Sequence, residues 1–137
     1  MSDHQTEREL PNSGPMPRPE SPEQAARVLR QEAFPAPDVS MVRFDATEFT
    51  AICPRTGQPD FGSVAIEYGP GPLCLESKAL KFYLWSFRDE GAFCESLAAR
   101  IADDVVAAIE PLWVRIEVRQ NVRGGIALVA TAERGEC

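Results

Sequence analysis

The chain has 137 residues, 44% of them hydrophobic, and a formal net charge of −7. That length suits one domain with a real core, and the acidic balance excludes a protein that grips nucleic acid through a broad basic face. No apolar run reaches the length of a membrane span and the start, MSDHQTEREL, has no apolar export core, so a cytoplasmic protein with reduced cysteines (Cys53, Cys74, Cys94 and Cys137) is expected.

Residues 1–20 are polar and broken by Pro11, Pro15, Pro17 and Pro19, which reads as a disordered tail. Ser21 and Pro22 suit the N-cap and first position of a short helix, Glu23 to Gln31, ended by Phe34-Pro35-Ala36-Pro37. The expected organisation is therefore a mostly disordered segment, 1–39, holding one short helix, and a folded domain, 40–137.

Met41 to Thr50 is rich in strand formers, and Ser63 to Tyr68 alternates, with Val64, Ile66 and Tyr68 on one side. Between them Ala51 to Phe61 holds Pro54, Gly57 and Pro59 and reads as a structured loop. Glu76 to Arg88 predicts a helix with Leu80, Leu84 and Phe87 as its stripe. Phe93 to Glu110 predicts a second, with Phe93, Leu97, Ile101, Val105 and Ile109 at helical spacing. Leu112, Val114, Ile116 and Val118 then alternate with polar residues, Asn121 to Gly125 is a turn, and Ile126, Leu128 and Ala130 open a last strand: a hairpin. The order strand, strand, helix, helix, strand, strand predicts an α+β fold, one antiparallel sheet with both helices on one face.

The only histidine is His4, in the tail, and no CxxC pair occurs, so neither a histidine-assisted triad nor a zinc site is expected. Cys53 stands in the first loop beside Pro54. A cysteine there is more often a small packing residue than a nucleophile, and Asp60 in the same loop is as readily a turn former. Together they make a nucleophile and acid pair: a thiolate attacks an electrophilic carbon and a neutral carboxylic acid protonates the atom that becomes basic. Lys78 and Lys81 share a face at the start of the first helix. They suit a phosphate ligand, though a solvated surface explains them as well. Arg123 with Gly124 and Gly125 is either a hairpin turn or an arginine beside a backbone that a ligand can approach. Glu95, in the first turn of the second helix, is favoured there by the dipole alone.

Phe49-Thr50-Ala51-Ile52-Cys53-Pro54-Arg55-Thr56-Gly57-Gln58-Pro59-Asp60-Phe61, then Glu76-Ser77-Lys78-Ala79-Leu80-Lys81-Phe82-Tyr83-Leu84, Ser86-Phe87-Arg88 and Arg123-Gly124-Gly125-Ile126 resemble the short, single-domain 7-cyano-7-deazaguanine reductases, the nitrile reductases of queuosine biosynthesis. The resemblance runs from about Phe44 to Ile126. It implies the tunnelling fold and a homo-oligomer of stacked pentameric rings with active sites between subunits. It implies Cys53 as nucleophile and Asp60 as proton donor. Glu76 and Glu95 would hold the deazapurine, with the backbone near Leu75 and Ser77 helping, since a guanine-like edge presents N–H donors to carboxylates. Lys78, Lys81, Arg123 and Gly124 would contact NADPH. The family usually has His-Glu where this chain has Cys94-Glu95, so the contact at Cys94 is altered.

The implied reaction adds Cys53 to the nitrile carbon as a thioimide, with Asp60 protonating the nitrogen. Two NADPH then reduce it to 7-aminomethyl-7-deazaguanine, without metal and without direct contact to nucleic acid or membrane. A cysteine-dependent hydrolase or cyclohydrolase-like relative, and a non-catalytic pterin- or purine-binding module, are the rival readings.

Overall fold

A computed structural model describes residues 9–136. Its first helix, α1, spans Pro22–Glu32, and the Ser21 hydroxyl accepts from the Gln24 amide at 3.0 Å, as an N-cap serine should. Ala25, Val28 and Leu29, spaced i, i+3, i+4, are fully buried where α1 meets the two later helices. The boundary expected near Ser40 is therefore corrected: α1 is part of the folded unit, and Leu10 upstream is buried too. A three-residue apolar stripe has to be covered, and the surrounding prolines obscured it. Residues 1–8 of the expected tail lie outside the described residues.

Strands β2 (Val42–Ile52), β3 (Pro59–Gly69), β5 (Trp113–Arg123) and β6 (Ile126–Gly135) form one antiparallel sheet in the order β2-β3-β5-β6. A two-stranded pair that alternation alone did not reveal, β1 (Phe34–Pro35) with β4 (Leu73–Cys74), ties the exit of α1 to the approach of the next helix. The loop expected over Ala51 to Phe61 shrinks to Cys53–Gln58, because Thr50 pairs with Phe61 and Ala51 with Asp60. Pro59 opens β3, where a missing ladder N–H is tolerated.

Helix α2 (Ser77–Trp85) is shorter than expected, its last residues forming a turn. Helix α3 (Cys94–Ile109) ends at Glu110 in the left-handed region, φ 50°, ahead of Pro111. The sheet alternates as its strands predict. Val64, Ile66, Tyr68, Val114, Ile116 and Val118 are buried on the helix side, and the other face carries ion pairs such as Arg43–Glu67 at 2.7 Å and Arg115–Glu133 at 3.7 Å. This is the α+β, strand-strand-helix-helix-strand-strand arrangement of the tunnelling fold. Tyr83 stacks edge-on against Phe87 with centroids 5.2 Å apart and donates its hydroxyl to Asp104 at 2.5 Å. Burial, with the Asp104 charge beside it, pushes that phenol well above its ordinary value. Among the described residues no helix is long and apolar enough to cross a membrane.

Candidate active site

The chain leaves β2 at Ile52, which is clamped on both sides: its amide donates to Glu90 O at 3.0 Å and its carbonyl accepts from Ala92 at 3.1 Å. The next turn closes on itself, with the Cys53 amide donating to Gln58 O and the Gly57 amide to Cys53 O, both at 2.9 Å. Gly57 has φ 74°, a conformation that favours glycine. Cys53 is thus held half-buried at the rim of a cavity of about 270 Å³, lined also by Asp60, Cys94, Glu95, Gln120 and Arg123.

No histidine is among the described residues, and the turn itself favours the charged form of the thiol. The Thr56 hydroxyl, then the backbone amides of Arg55 and Thr56, hold the Cys53 thiol below its ordinary value, against smaller upward pushes from burial and then the Asp60 charge. Hydrogen bonds to the charged form favour it, which makes Thr56 a candidate member of the site that residue type alone did not single out. The signal was its place three residues after the cysteine, in a turn closed by Gly57.

Asp60 sits where β3 begins, paired with Ala51 of β2, and its side chain is 8% exposed. Arg123, near the end of β5, donates to Asp60 through Nη1 and to Gln58 Oε1 through Nη2 at 3.1 Å, and Gln120 Nε2 lies 3.4 Å from the other Asp60 oxygen. Arg123 therefore bridges Asp60 and the Cys53 turn. Gly124 and Gly125 follow it at φ 58° and 80°. A Cβ at either would have no heavy atom within 4 Å, so the hairpin tip is open backbone.

Cys94 also lines this cavity, yet its environment is opposite to that of Cys53. It is buried and donates to Val118 O at 3.3 Å. Burial, then the Glu95 charge, pushes its thiol up. Glu95 is exposed at the start of α3.

The second expected cluster lies elsewhere. Leu75, Glu76, Ser77, Lys78 and Lys81 are not among the cavity-lining residues. The Leu75 amide donates to Tyr68 Oη at 2.9 Å. Glu76 is the N-cap of α2, its two oxygens accepting from Ala79 at 2.8 Å and Lys78 at 3.0 Å. Ser77 is exposed, and Lys78 Nζ donates to Pro11 O at 3.1 Å. Lys81 lines a separate cleft of about 310 Å³ with Trp85 and Arg88. Among the described residues no three histidine, cysteine or carboxylate side chains gather in a metal-holding group.

The family model of the QueF-like proteins matches residues 59–137. A protein of Anaeromyxobacter sp. (strain Fw109-5), named NADPH-dependent 7-cyano-7-deazaguanine reductase, is 47% identical over 116 residues, 84% of this chain and 95% of its own. One of the same name from Nitrosococcus oceani is 44% identical over 113 residues, 82% and 88% of the two chains. The crystal structure of the archaeosine synthase QueF-Like in the apo form superposes with a TM-score of 0.69 at 28% identity, covering 74% of this chain and 99% of that one.

Proposed function

This chain belongs to the QueF-like family, among the NADPH-dependent 7-cyano-7-deazaguanine reductases, and from that premise we propose that it reduces the nitrile of 7-cyano-7-deazaguanine to an aminomethyl group through a thioimide on Cys53. The observation that carries the reading is the pairing of an activated thiol with a buried carboxyl across one small cavity. Cys53 Sγ forms the bond to the nitrile carbon, and one C–N π bond breaks onto nitrogen. Asp60 supplies the proton that nitrogen takes. Glu95, exposed at the cavity mouth, accepts from the N–H donors of the guanine-like edge. Buried Cys94 forms wall there and offers no charge.

The residues present suit an anionic dinucleotide shared between copies of the chain: Arg123 is half exposed beside the open Gly124-Gly125 backbone, and Lys81 is exposed on α2 in the separate cleft. Guanidinium and ammonium groups are the usual partners of phosphate oxygens. NADPH, when bound, would supply one hydride per molecule, so nitrile to primary amine takes two, and the Cys53 S–C bond breaks between them, returning the thiolate.

The separation of Glu76, Ser77 and Lys78 from the Cys53 cavity supports a site completed by a second copy of the chain, as the family's ring assembly implies. The outer strands β2 and β6 each have one partner in the four-stranded sheet, which leaves edges for strand pairing between copies. We place the reaction in the cytoplasm, where thiols stay reduced.

The test mixes the protein, 7-cyano-7-deazaguanine and NADPH and follows cofactor absorbance. Consumption of two NADPH per nitrile is expected. A hydrolase leaves the absorbance unchanged, and a binding module gives a stoichiometric change only.

A further inference from the structure

We propose that Arg88, with Lys81 and Trp85, forms the subsite for the adenosine 2′-phosphate of the cofactor and sets the choice of NADPH over NADH. This rests on the reductase reading above.

NADPH and NADH differ by that one phosphate, so a chain that prefers NADPH has to present a cation to it, commonly an arginine. Of the three basic residues expected at the cofactor, Arg123 is bonded to Asp60 and Gln58, and Lys78 to the Pro11 carbonyl. Lys81 has no such bond. The arginines are mostly spoken for as well, as a net charge of −7 leads one to expect. Among the described residues, Arg55 and Arg88 are the two arginines without a carboxylate partner. Arg55 stands in the Cys53 turn. Arg88 shares the cleft of about 310 Å³ between β2 and α2 with Lys81. Two unpaired cations on one wall of one cleft, in an acidic chain, suit an anion there.

That wall also carries a ring. Lys81, Trp85 and Arg88 follow one another at i, i+4 and i+7, a spacing that puts them on one helical face. The Arg88 amide donates to the Trp85 carbonyl at 3.0 Å, which carries the face one turn past the end of α2. Trp85 is 36% exposed, and its ring stands edge-on to buried Phe82 with centroids 6.4 Å apart. An indole held in this way offers a stacking platform for a purine base, with a cation one helical turn to either side. Glu48, exposed in the irregular part of β2 between Ala46 and Phe49, lines the same cleft. Its carboxylate repels phosphate and accepts from an amino group, so adenine would present its amino edge to β2 and its ribose phosphate to Arg88. Thr50 and Arg88 also line a second hollow that reaches Gly57 in the Cys53 turn. The adenosine end is thereby placed at the far end of a surface that leads to the nucleophile.

The test measures binding of NADP+ and NAD+ to the full-length protein by calorimetry. Wild type is expected to bind NADP+ more tightly. Arg88→Met should weaken NADP+ by roughly tenfold to a hundredfold, the scale of a charge-assisted hydrogen bond, and leave NAD+ as it was, while Arg88→Lys keeps part of the preference. Trp85→Ala should weaken both by roughly tenfold, the scale of one stacked base. Adenosine 2′,5′-bisphosphate, which lacks the nicotinamide, should quench tryptophan fluorescence in wild type and not in Trp85→Phe. An Arg88→Met variant that loses both dinucleotides equally, or neither, overturns the subsite. So does binding of the bisphosphate without quenching of Trp85. A changed oligomeric mass in Arg88→Met with its cofactor preference intact marks a contact between copies and overturns it too. In each of these cases a wild type that still consumes NADPH with the nitrile keeps the reductase reading. A wild type that neither binds NADP+ nor consumes NADPH removes that reading, and the subsite with it.

Discussion

The Cys53–Gln58 turn and the start of α2 both carry candidate site residues, yet only the first groups them around one cavity. In the turn, backbone closure at Gly57, the Thr56 hydroxyl and the Arg123 bridge act on Cys53 and Asp60 around one cavity. At the start of α2 the same kinds of groups are engaged locally. Glu76 caps the helix and Lys78 holds the carbonyl of Pro11. A nucleophile and its acid need sub-ångström mutual geometry, which a tight turn between two paired strands provides. A binding carboxylate or lysine tolerates arriving from elsewhere, and a helix N-terminus presents it without dedicated neighbours.

The largest expected effect breaks the first region alone. Cys53→Ala should abolish turnover while leaving fold and NADPH affinity unchanged, because the residue is half-buried and its backbone bonds do not depend on the thiol. Mass spectrometry of wild type with nitrile and no NADPH should show the adduct on Cys53. An adduct on Cys94 instead would reverse the assignment of the two cysteines.

Asp60→Asn should lower turnover by about 10²- to 10⁴-fold, the usual contribution of a positioned acid, with nitrile still bound. Turnover measured across pH checks it. A variant within a few-fold of wild type at every pH returns Asp60 to a strand-end residue.

Lys78→Ala tests the second region. If α2 meets the cofactor across a contact between copies, the variant should raise KM for NADPH by roughly tenfold, the scale of one charge-assisted hydrogen bond, with KM for nitrile little changed. Unchanged NADPH kinetics would leave Lys78 as a strut for the N-terminal segment, and a lowered Tm would then be its signature.

The smallest effect sharpens the account of activation. Thr56→Val removes the hydroxyl that lowers the Cys53 thiol most, so the thiolate should appear at higher pH and alkylation by iodoacetamide at neutral pH should slow by a few-fold. The sign follows from the cause: a bond to the charged form is lost, so the charged form needs a higher pH to appear. Cys94, whose thiol burial raises, should react slowly in both proteins. Equal alkylation profiles would mean that the backbone amides suffice.

The six-element order and the buried positions of the sheet were legible in the sequence, because period-two and helical spacing are local properties that burial enforces strand by strand. The Cys53 and Asp60 pair was legible as two reactive types in one loop, and the resemblance assigned their roles. The place of α1 was not, because three apolar residues among prolines reveal their partner only when α2 and α3 are packed against them. Nor was the strand pairing that cut the loop to Cys53–Gln58, since Pro59 reads as a breaker until its position as first residue of β3 is known. Arg123 lies 63 residues from Asp60 in the chain. Their ion pair depends on β3 and β5 being hydrogen-bonded neighbours, a fact of topology that no local spacing encodes. The same holds for Cys94. Its sequence neighbours do not tell what its thiol meets, and in the fold it is buried in the cavity wall, with its hydrogen bond given to the Val118 carbonyl on β5.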